Sequence, residues 1–144
     1  MKPTALIAAL LEMFSRSPGD IRPERRGLVD LDPDYLYRAR VVEPFLQSQS
    51  LDVLAFVLGV LRLGTQDDPT RQDALWLLTF NSTPLNEKFW VVHGLIDRRP
   101  ADRYLAEGLR TAERLGIDLD QWFETVTQLW ALPETIAAHI VLKS

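Results

Sequence analysis

Residues Leu51–Leu63 read LDVLAFVLGVLRL, thirteen positions at which only Asp52 and Arg62 are charged. Apolar side chains occur nearly all round a helical wheel drawn through this run. It therefore predicts a helix that is buried on every side, at the centre of the N-terminal half. The run is too short to cross a bilayer, which takes roughly 20 apolar residues. The residues after it are punctuation. Gly64 predicts a helix end in the left-handed conformation. Asp68-Pro69 predicts a new start, with the aspartate as cap and the proline at the first helical position, where a missing N–H costs nothing.

The same marks recur outward along the chain. Asp32-Pro33 and Thr83-Pro84 read as further capped starts, and Pro100 and Pro133 as two more. Gly116 reads as a helix end, and Asp118 and Gln121 have the spacing of a capping box. Between the marks, apolar residues keep helical intervals. Leu6, Leu10 and Phe14 form one stripe; Leu105, Leu109, Ala112 and Leu115 a second; Leu119, Trp122, Val126 and Leu129 a third. No stretch alternates for the length of a strand, and no Asn-Gly hairpin signal occurs. The predicted fold class is all-α: two small packed helical bundles with about seven or eight helices. The N-terminal lobe spans 1–82 and the C-terminal lobe 83–144, with a break near Phe80–Pro84. The first helix lies in MKPTALIAALLEMF, where Glu12 interrupts the apolar run and speaks against a signal peptide. One long irregular stretch, SRSPGDIRPERRGLVDLDP (15–33), separates it from the second helix.

The 144 residues are 47% hydrophobic and 25% charged, the composition of an ordinary globular domain. With no cysteine, disulfides and thiolate metal sites are excluded, and the expected location is the cytoplasm. A net charge of −4 argues against non-specific coating of nucleic acid. The average hides an asymmetry: five arginines lie between Arg98 and Arg114, whereas from Ile117 onward Asp118, Asp120, Glu124 and Glu134 stand against Lys143 alone.

Catalytic constellations are not legible. His93 and His139 lie apart, each in an apolar stretch, and read as core or boundary histidines rather than catalysts or ligands. Asp67-Asp68 is accounted for by capping. Phosphate-binding glycine loops and nucleophile elbows do not occur. Trp76, Trp90, Trp122 and Trp130 sit among leucines at helical spacing and read as core, Trp90 and Trp122 together with Phe123 in the C-terminal lobe. The expectation is a protein that is not an enzyme and takes no cofactor, no metal and no small-molecule substrate.

Basic residues are the remaining candidates. RPERR supplies Arg25 and Arg26, Lys88 opens the apolar segment NEKFWVVHGLIDRR (86–99), and Asp97, Arg98 and Arg99 close it. Arg103, Arg110 and Arg114 come next, at spacings that keep them near one helix face, interleaved with Glu107. A solvated face laced with Glu–Arg pairs is one reading, and a phosphate-contacting surface is the other. Thirteen of the sixteen cations are arginine, whose planar fork suits bidentate phosphate contact.

These segments resemble a known family. Glu87, Lys88, Phe89, Leu95, Asp97 and Arg98 match the pattern of CasB, the small helical subunit of type I-E CRISPR Cascade, with Ile96 where the family has alanine. Ile117, Asp118, Leu119, Leu129 and Trp130 match its next helix, and Arg25-Arg26, Tyr37 and Pro44-Phe45 resemble an earlier arginine pair and aromatic helix. The resemblance implies a non-catalytic subunit packed beside a second copy of itself and other Cascade subunits. It would brace the guide RNA–target DNA hybrid and the displaced strand through backbone contacts, consistent with a hybrid read by shape and charge. Asp97 would then orient a guanidinium, with Arg98 or Arg99 on phosphate. The rival expectation is a helical adaptor or immunity-type protein that binds another protein through its acidic C-terminal face.

Overall fold

The computed structural model describes residues 1–17, 33–80, 87–97 and 100–144. They form α1 (Pro3–Ser15), α2 (Pro33–Tyr37), α3 (Glu43–Gln47), α4 (Leu51–Leu63), α5 (Arg71–Phe80), α6 (Lys88–Ile96), α7 (Ala101–Arg114), α8 (Leu119–Leu129) and α9 (Glu134–Leu142). A π-helical turn, Arg38–Val42, joins α2 to α3 without a break, so the described residues make eight helices. No strand occurs among them, and the fold is all-α.

The apolar run is the central helix. Ser50 caps α4 by accepting the Val53 N–H at 3.4 Å, and every residue from Val53 to Leu61 is buried. Around it pack α1, α5, α6, α7 and α8. The buried apolar residues form one cluster that runs from Leu6 to Val141, with members on both sides of the expected break between lobes. The expected boundary itself, with Thr83-Pro84, lies outside the described residues.

The tightest helix contact is α4 against α7, and two glycines make it. A Cβ on Gly64 would lie 1.8 Å from the Tyr104 carbonyl oxygen, and one on Gly108 would lie 2.1 Å from that of Val60. Only hydrogen fits in either place. This corrects the expectation for Gly64, whose φ of −66° is ordinary right-handed helix. Close approach explains that glycine, and left-handed geometry does not. Gly116 does adopt the left-handed conformation, at φ +71°, where α7 ends.

Three of the expected helix starts are shifted, and the Asp32 cap lies outside the described residues. Asp68 does not cap α5; that role falls to Thr70, whose Oγ1 accepts the Asp73 N–H at 3.1 Å while Asp73 Oδ2 accepts the Thr70 N–H at 3.2 Å. The two residues form a reciprocal box. Pro100 and Pro133 stand at the cap position of α7 and α9, one residue before the first helical turn. Asp118 caps α8 as expected, accepting from the Gln121 N–H at 3.1 Å.

The start of α1 is capped from a distance. Asp120, in the first turn of α8, accepts the Thr4 N–H at 3.0 Å and the Thr4 hydroxyl at 2.5 Å. An orphan donor of one helix is thereby satisfied by another, which ties residue 4 to residue 120. Asp120→Ala should cost about 1 kcal/mol, the usual worth of a cap. A chemical-denaturation midpoint equal to the parent's would contradict the clasp.

Two tryptophans are not core. Trp90 is 64% exposed and Trp76 39%. On α6 the buried residues are Val91, Val92, Leu95 and Ile96, and position 90 lies almost opposite the centre of that face. Because nearly every residue of α6 is apolar, spacing alone did not show which side faces inward. Trp122 and Phe123 are partly buried and pack on the core; Phe123 meets Phe56 edge-on, with ring centroids 5.2 Å apart. Trp130 donates its Nε1–H to the Thr79 carbonyl at 2.7 Å. His139, expected at the core or its boundary, is exposed.

Candidate nucleic-acid interface

The helix running from Pro33 to Gln47 and α6 lie antiparallel, joined by three polar rungs. Lys88 Nζ donates to the Gln47 carbonyl at 2.6 Å. His93 Nε2 faces Glu43 Oε1 at 3.4 Å. Arg38 Nη1 donates to the Ile96 carbonyl at 3.4 Å and faces Asp97 Oδ1 at 3.8 Å. Asp97 Oδ2 also meets His93 Nδ1 at 3.0 Å, one helical turn away.

The π turn makes this ladder possible. In an α-helix, residues five apart point about 140° away from each other. Here the Glu43 N–H bonds back to the Arg38 carbonyl, five residues earlier, so one wider turn carries both side chains to the α6 side. Below Arg38, Asp34 is only 4% exposed; its Oδ2 lies 3.2 Å from Arg38 Nε, and its Oδ1 accepts from the Ser17 hydroxyl. A buried carboxylate is thus held against a guanidinium, the condition under which burying a charge is tolerated. Sequence reading missed this network. Its available signal was the four-residue spacing of Asp34 and Arg38, which places the pair on one helical face.

The sequence-predicted cations fare unequally. Arg25, Arg26, Arg98 and Arg99 lie outside the described residues. Lys88 is half-buried and held by Gln47. On α7, Arg110 is paired with Glu107, and Arg114 Nη1 lies 3.6 Å from Asp68 Oδ1. Arg103 is exposed and has no ion pair among the described residues. Among the described residues, the guanidinium that faces Asp97 is that of Arg38.

The rings of Phe89 and Trp90, which follow Lys88 in the chain, are 50% and 64% exposed, with centroids 5.2 Å apart at nearly right angles. Phe89 also leans on the His93 ring, centroids 4.3 Å apart. Side chains this large and this exposed carry a cost in water that a partner would relieve. Trp90→Ala should therefore change stability by less than about 0.5 kcal/mol, as is usual for surface sites. A large fall in melting temperature would place the indole against the core.

A second apolar surface lies on α9. Its inner face contributes Ala137 and Val141 to the core, while Ile136, Ile140 and Leu142 are exposed, as is Leu132 just before it. The bulkier apolar residues of this helix point outward. Asp118, Glu124 and Glu134 of the expected acidic C-terminal face are exposed as well, so this part of the chain presents both acidic and apolar side chains.

Among the described residues, no three His, Asp or Glu side chains group closely enough to hold a metal ion, and no helix is long and apolar enough to cross a membrane. No family model, curated protein or solved structure matches the chain.

Proposed function

We propose that this chain is a non-catalytic helical subunit of a CRISPR Cascade-type effector, where it braces the guide RNA–target DNA hybrid and the displaced strand through backbone contacts. The observation that carries the reading is the exposed Phe89–Trp90 pair. It lies on the helix whose sequence resembles the CasB pattern, and Arg98, Arg99 and Arg103 come after it in the chain. Exposed aromatic faces suit a surface that meets unpaired bases, and the arginines that follow in the chain suit phosphates. Such a part needs no catalytic constellation, because base pairing supplies the sequence specificity and the protein supplies positioning.

Alanine at Arg25, Arg26, Arg98, Arg99 and Arg103 tests this in the assembled complex. Target-DNA binding should weaken to a similar extent for every target sequence. The log–log salt dependence should flatten by about 0.7–0.9 for each phosphate contact removed. Parent-like binding at all salt concentrations would show that these cations are merely solvated.

The second reading, a helical adaptor that binds another protein, is favoured by the outward apolar face of α9. Charged substitutions at Ile136 and Ile140 would abolish such a contact and leave nucleic-acid binding intact. If they leave every protein association unchanged, the adaptor reading fails.

A further inference from the structure

We draw no further inference here: the strongest candidate, the surface cavity of about 320 Å³ lined by Asp67, Asp68, Asp73 and Trp76 between the end of α4 and the start of α5, is an acidic cluster with no bound ion and no buried, unpartnered side chain to show that a cation fills it.

Discussion

Gly108→Ala should destabilise the protein by roughly 3 kcal/mol or more, at or beyond the upper end of ordinary overpacking. Two effects compete. Replacing a mid-helix glycine by alanine gains about 1 kcal/mol in helix propensity. Against that, the new methyl would sit 2.1 Å from the Val60 carbonyl oxygen and 2.9 Å from Val60 Cγ1. The nearer atom belongs to the backbone of the central helix and cannot swing aside. Either α7 retreats from α4, opening the core at Leu105 and Ala112, or the chain loses the fold. Total stabilities of about 5–15 kcal/mol leave little room for this. Gly116→Ala is the control, because nothing lies within 4 Å of its added Cβ and only the positive φ resists it. A denaturation midpoint for Gly108→Ala at or above that of the parent would mean the two helices are not in backbone contact.

Phe56→Ala should cost about 3–5 kcal/mol, the range for truncating a buried aromatic. Phe56 is completely buried on α4, where helices close in from all sides, so the cavity has little freedom to collapse. It also forfeits the edge-on contact with Phe123. Trp122→Ala should cost less, because that ring is only partly buried. Equal losses at positions 56 and 122 would contradict the assignment of α4 as the centre of the core.

How much of this was legible in the sequence depends on the kind of signal. LDVLAFVLGVLRL announced a buried helix because no face of it was polar, and α4 is buried from Val53 to Leu61. Asp118 announced the start of α8 because an acceptor before an apolar run has one obvious use. Gly64 was legible as special but not for the right reason. A glycine needed for close approach and one needed for a left-handed turn look the same until the partner helix is known. The π turn was invisible for a similar reason: an extra residue in a helix is detectable only against the side chains it brings into line, here Asp97 and His93. Trp90 failed through ambiguity, since a helix apolar on nearly every side does not tell which ring faces out. Among the candidate cations, spacing found the shared face of α7, but the pairing of Arg114 with Asp68 joins residues forty-six positions apart in chain number. Only the fold brings them together.

The most direct test of the proposed role is reconstitution. A guide-RNA-loaded effector complex of Cascade type, purified without its small subunit, would be mixed with this protein. Native mass spectrometry would read incorporation, and titration with target DNA would read affinity. The proposed role predicts that the protein joins the RNA-bearing particle and tightens target binding, with Trp90→Ala and Arg103→Ala reducing that gain while the free protein stays folded. A protein that remains outside the particle, or joins it and leaves target affinity unchanged, would contradict the proposed role.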